Sequence, residues 1–165
     1  MDHVEKIQAQ WKKELPEVNL EAQGVIARLH RLANYLTGEI TTVHAEYGLS
    51  EGEFDILCAI RREGEPFEIR PADIAKTTMV TTGGTSKRLD KLEKSGLIER
   101  VPHNTGDGRS KLVRLTAQGK ATIEEAFLAH MENERRLVQS LGTEDQAVLE
   151  RILKQWLTTF EGERG

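Results

Sequence analysis

The stretch from Pro71 to Thr116 constrains the chain most. Pro71 suits the first turn of a short helix over 71–77, where its missing N–H leaves nothing unsatisfied. Thr77-Thr78-Met79-Val80 then reads as a turn. Thr81 or Thr82 can cap a second helix running to Ser95, and Gly96 stops it. Two short strands follow, about 97–102 and about 110–115, joined by His103-Asn104-Thr105-Gly106-Asp107-Gly108, a run rich in residues that turn a hairpin. Thr116 caps the helix after it. Helix, tight turn, helix and hairpin in that order predict a winged helix-turn-helix.

The second helix has the two faces such a head requires. At about 100° per residue, Thr85, Leu89 and Leu92 gather into a buried stripe. Gly83, Lys87, Asp90, Lys91 and Lys94 fall opposite, with Thr82 and Ser86 on a flank. The first turn (Thr81, Thr82, Gly83, Thr85 and Ser86) is small and hydroxyl-bearing, so it can approach base edges and phosphates closely. Lys87 and Lys91 suit backbone phosphates, which hold register without reading sequence. At the hairpin tip, Asp107 can orient Arg109 towards a minor groove; an ordinary solvated turn is the plainer alternative.

The flanks read as helices. Val4, Ile7 and Trp11 mark a short one over 4–14, ended by Leu15-Pro16. Apolar residues from Val25 to Val43 mark a long one over 21–46, stopped by Gly48. Ser50 and Glu53 form a capping box that opens a helix to Arg62. Beyond Thr116 a long helix runs to about Leu141. Thr143-Glu144-Asp145-Gln146 reads as a second capping box, before a stripe of Val148, Leu149, Ile152, Leu153, Trp156 and Phe160. The fold class is mainly α with a small β-hairpin, in one domain. Residues 47–116 form the winged head, and 1–46 with 117–165 form a helical region. Its apolar face exceeds what the head can cover, which points to a homodimer; a closed monomeric bundle is the alternative.

Charge sharpens the partner. Residues 71–115 hold nine Lys/Arg against five Asp/Glu, a balance of +4 inside a chain of net −4, so the rest carries −8. A basic segment in an acidic chain aims its field at one surface, and double-stranded DNA fits it. No apolar run is long enough for a membrane span, the N-terminus lacks a signal peptide's apolar core, and one cysteine makes no disulfide framework. These features fit the cytoplasm and no membrane partner. There is no phosphate-binding glycine loop, nucleophile elbow or His-Glu-x-x-His, so an enzyme is not expected, nor a cofactor. His3, His30, His44, His103 and His130 show no ligand spacing, so no metal is expected and solvated histidines are the default, with His30 or His44 able to line a dimer-side pocket.

The chain resembles the MarR family of bacterial transcriptional regulators over about residues 20–160. The resemblance is carried by TTGGTSKRLDKLEKSGLIER, similar to the family's recognition helix and first strand, and by DGRSKLVRLTAQG, similar to its Asp-x-Arg wing. Gly108 stands where many members have a second arginine, leaving the wing one positive charge weaker. The resemblance implies a homodimer on a palindromic operator near its own promoter, with repression relieved by a small ligand, often an aromatic anion. It extends to the urate-responsive branch through four residues: Trp11 in an extra N-terminal helix, Asp55 and Arg62 seven apart in one helix, and Arg88 on the recognition helix. Seven residues is two turns, so Asp55 and Arg62 share a face, with Phe54 and Leu57 turned towards the core. Arg88 lies between the buried stripe and the groove face and can turn inward towards a carboxylate such as Asp55. An anion there would gain the arginines, oppose Asp55 and move the recognition helix. A plain ion-pair cluster at the helix junction is the competing reading.

Two other functions stay open. Cys58 invites a thiol-based redox sensor, although its neighbours Leu57, Ala59 and Ile60 favour a small buried hydrophobe. A dimeric helical adaptor that binds no DNA is the second.

Overall fold

The computed structural model describes residues 1–78, 84–102 and 111–162. Its elements are α1 (His3–Glu14), α2 (Glu21–Glu46), α3 (Glu51–Arg62), β1 (Glu68–Ile69), α4 (Pro71–Thr77), α5 (Thr85–Lys94), β2 (Ile98–Pro102), β3 (Lys111–Leu115), α6 (Ala117–Val138) and α7 (Thr143–Glu161). The order is that of a winged helix-turn-helix between long helices.

Local chemistry sets most boundaries. The Ser50 hydroxyl accepts from Glu53 N and the Glu53 carboxylate from Ser50 N, the capping box expected of α3. Asp2 and Glu5 make a second such box at α1. The Thr116 hydroxyl accepts from Gly119 N and opens α6.

Three expectations change. Among the described residues α5 begins at Thr85 with Gly84, at φ +82°, in the N-cap place; Thr81 and Thr82, the expected caps, lie outside the described residues. Thr143 is the first residue of α7 rather than its cap, because Gly142 takes that place; the Gln146 amide instead donates to Val138 O at the end of α6 and to Leu141 O just beyond it. A third strand, β1, joins the hairpin in the order β1-β3-β2, all antiparallel, with Ile69 opposite Val113 and Ile98 opposite Leu115.

The core lies beneath this sheet. Leu57, Ile60 and Val113 are wholly buried, with Ile74, Leu89, Leu92, Ile98, Ile123 and Ala126 around them. α3 runs through the middle and is buried from Gly52 to Ile60, so Asp55 is buried along with Phe54 and Leu57. The outer helices differ. In the single chain α7 buries no residue, and Leu149, Ile152, Leu153, Leu157 and Phe160 stand exposed, as do Val25, Ile26 and Leu32 of α2. No helix among the described residues is long and apolar enough to cross a membrane.

Candidate nucleic-acid interface

The second helix, α5, keeps its expected faces except at Lys91, which the helix wheel placed on the groove face and which instead reaches a buried carboxylate of α3. Leu89 and Leu92 are buried, Ser86 and Lys87 are exposed, and Thr85 is half-buried at the first turn. Thr81, Thr82, Gly83, Asp107 and Arg109 lie outside the described residues.

The positive charge is less evenly available than its count suggests. Arg100 reaches Asp90 and Glu93 of α5 at 2.6 and 3.0 Å. Arg114 joins Glu68 and Glu99 at 3.2 and 3.0 Å. Lys91 meets Glu53 of α3 at 2.8 Å. Burial alone would raise the Glu53 carboxyl, but hydrogen bonds from Lys91 and from the Ser50 backbone outweigh it and hold the group below the usual range. Lys87, Lys94 and Lys111 pair with no carboxylate among the described residues. Lys111, at the base of the wing, was missed by the pattern reading because a strand end carries no groove-facing period.

The four residues of the urate-type set do not meet in one chain. Arg88 turns inward, half-buried, with its guanidinium over Gly52 at the start of α3. Asp55 follows on α3, 8% exposed. Arg62 lies at the far end of α3 and donates to Thr77 O at the end of α4. Gly52 and Arg62 are thus roughly 15 Å apart along the helix. Trp11 is more distant still. α1 packs on the start of α2, where Gln8 donates to Leu20 O and Arg28 pairs with Asp2. Asp55 acts electrostatically on His44, near the far end of α2, roughly 35 Å away along its axis. Trp11 is half exposed.

Arg62 also borders a cleft of about 500 Å³ between α3 and α6, walled by Cys58, Ile123, Phe127 and Leu128. Arg61 and Glu124 pair at its rim at 2.8 Å, and the Arg61 guanidinium lies 4.8 Å from the Phe67 ring. Cys58 is 7% exposed, and burial pushes its thiol up to about 12, against the opposing pull of Arg62. A thiol held protonated in this way lacks the thiolate that a redox sensor uses. No group of three metal-ligating side chains occurs among the described residues.

His44 corrects the expectation of solvated histidines. It is 2% exposed, stacked on Phe54 with centroids 3.8 Å apart and planes within 13°. Its Nε2 is 3.2 Å from Nδ1 of His130, whose Nε2 lies 3.2 Å from Glu134. Burial, then the nearby His130, pushes His44 down to about 4 against the opposing charge of Asp55. No sequence spacing announces this pair, since α2 and α6 bring it together across most of the chain. His30, by contrast, lines the open cleft among α2, α6 and α7.

Known proteins complete the identification. The MarR family model matches residues 47–110. The HTH-type transcriptional regulator PecS of Dickeya dadantii is 35% identical over 91% of this chain and 90% of its own. A variant of MarR from Escherichia coli complexed with operator DNA is 25% identical, with a TM-score of 0.68 over 89% of this chain and 97% of that one. The organohalide-sensing regulator RdhR in its 2,4-dichlorophenol-bound form shares the fold alone, at 18% identity and a TM-score of 0.74 over 89% and 84% of the two chains. These relatives are transcription regulators and not enzymes. With a reading helix, a wing and a likeness to PecS along nine-tenths of its length, the chain belongs to the MarR family and is a DNA-binding transcriptional regulator.

Proposed function

We propose that the chain works in the cytoplasm as a homodimeric repressor on a palindromic operator, and that a small aromatic or purine-like anion releases it. One observation carries the dimer: α7 is a nineteen-residue helix with an apolar stripe and no buried residue. A second copy covering the exposed faces of α2, α6 and α7 satisfies it. In this reading residues 1–46 and 117–165 are the dimerisation region, and 47–116 are the head.

The anion has a reasonable place in the cleft behind the head. Apolar walls from Cys58, Ile123 and Phe127 take a flat ring, and Arg62 at one side takes its charge. RdhR, which has the same fold, is known with a chlorinated phenol bound. Occupation of this cleft bears directly on α3, against which α4 and α5 are tied. Calorimetric titration with urate, related purines and aromatic carboxylates is expected to give binding that Arg62→Ala weakens at least tenfold, with weaker operator binding in the presence of ligand. Absence of binding at millimolar ligand, with DNA binding intact, sinks the ligand reading.

DNA recognition is tested separately by a mobility shift on DNA from upstream of its own gene. Affinity is expected to fall steeply with salt, since neutralised phosphates release counterions. Arg109→Ala should cost about 1–3 kcal/mol if the wing enters a groove. A salt-independent interaction would favour the adaptor, and an unchanged affinity would remove Arg109 from the interface.

A further inference from the structure

We propose that Gly52 and Glu53, on the first turn of α3, are positioning residues for DNA recognition: they form the seat on which α5 rests through Arg88 and Lys91. The proposal rests on the reading that α5 faces DNA. Arg88 and Lys91 are three apart on α5 and therefore lie on one side of it, where they meet two adjacent residues of α3.

The first contact depends on having no side chain. A Cβ at Gly52 would stand 2.5 Å from Nε of Arg88, 2.8 Å from its Cζ and 2.9 Å from its Cδ. Those distances are too short for any real pair, so the Arg88 side chain occupies the volume that alanine would need. On its other side the guanidinium lies 4.0 Å from the Cβ position of Gly84, at the start of α5. Arg88 therefore threads between two glycines, one on each helix. Glycine is a weaker helix former than alanine, and accommodating this arginine gives the position a reason.

The second contact is an ion pair with one buried partner. Glu53 is 4% exposed. Its Oε1 lies 2.8 Å from Nζ of Lys91, while its Oε2 accepts from both Lys91 and Ser50 N at 3.0 Å. One carboxylate thus closes the first turn of α3 and grips α5. Lys91 remains 60% exposed, so the pair adds little to stability. Its effect is on where α5 sits. The next residue, Phe54, stacks on His44 of α2. The seat is therefore continuous with the junction between the head and the long helices.

The experiment is fluorescence anisotropy with a duplex that the wild-type protein selects from a randomised pool, run at several salt concentrations alongside thermal unfolding. Gly52→Ala is expected to weaken binding about tenfold while its unfolding midpoint holds or rises. Arg88→Ala should weaken binding too, and the double variant should bind no worse than Arg88→Ala alone, because the added methyl then displaces nothing. Glu53→Gln and Lys91→Gln should weaken binding by the same factor and leave the salt slope unchanged. Losses from Gly52→Ala and Arg88→Ala that simply multiply would overturn the seat. So would a Lys91→Gln effect that lowers the slope by about one while Glu53→Gln has none, since Lys91 would then be a phosphate contact. Lys87→Ala serves as the control for α5 itself. If it alters neither affinity nor slope, α5 is not the reading helix; if it does and Gly52→Ala binds as wild type, the seat is refuted.

Discussion

Replacing Gly119 with alanine is expected to destabilise the protein by about 3 kcal/mol and lower its unfolding midpoint by about 10 °C. A Cβ on Gly119 would stand 1.8 Å from the carbonyl oxygen of Leu97 and 2.7 Å from the carbonyl carbon. That neighbour is backbone and cannot rotate away. It is also held in place, because Thr116 N donates to Leu97 O at 3.1 Å and the Thr116 hydroxyl donates to Gly96 O at 2.7 Å. To admit the methyl, α6 must lift from the start of β2 and lose the first of these bonds, worth about 1 kcal/mol net. The gain in helix propensity, about 0.5–1 kcal/mol, offsets only part of the strain. Urea unfolding at one fixed protein concentration measures the difference, since the proposed dimerisation would make stability concentration-dependent. A midpoint equal to wild type would mean that α6 and β2 have far more freedom than their packing implies.

Acid should act through His44. Its folded-state value of about 4 lies below the ordinary 6.5, so the unfolded chain takes up a proton first as pH falls. The stabilisation this gives is complete above pH 6.5 and is lost as pH falls towards 4, by up to about 1.4 kcal/mol per unit and about 3 kcal/mol in all. The ring geometry supplies the cause. With His130 donating from Nε2 to Glu134, its Nδ1 is left to accept, and His44 donates from Nε2. Nδ1 of His44 is then a bare lone pair, buried and without a hydrogen-bond partner among the described residues. A proton arriving there becomes a donor facing no acceptor. His44→Phe should keep the stack on Phe54 and remove the titration. Between pH 7 and pH 4 the wild type should therefore lose about 3 kcal/mol more stability than the variant. An His44 proton resonance that titrates near 6.5, or identical slopes for the two proteins, would contradict this.

Much of the fold was legible because its signals are local. Ser50 and Glu53, Pro71, Thr116 and the glycines after α2 and α5 each settle a boundary through the hydrogen bonds of one turn. β1 was not legible, since two residues carry no period and Glu68-Ile69 become a strand only by pairing with Val113 and Arg114. The start of α7 was misread for a related reason. Thr143 to Gln146 has the residue types of a capping box, yet Gln146 is engaged by the open carbonyls at the end of α6 and just beyond it. Of the candidate site, the inward turn of Arg88 followed from its place on the helix wheel. Engagement of Lys91 by Glu53, burial of Asp55 and the distance of Trp11 depend on contacts between elements, and no spacing along the chain encodes them.

α3 has a mechanical consequence. Its first turn holds α5 through Glu53 and Lys91, and its last residue holds α4 through Arg62 and the Thr77 carbonyl. Both halves of the helix-turn-helix are thus bolted to one short, rigid rod. A push on that rod carries them together as a block, leaving the angle between them as it was. In the proposed dimer the quantity that would shift is the span from one block to the other, set against a DNA repeat of about 34 Å per turn. Sensitivity to an effector would then appear as intolerance of half-site spacing, with the preferred letters within each half-site unchanged.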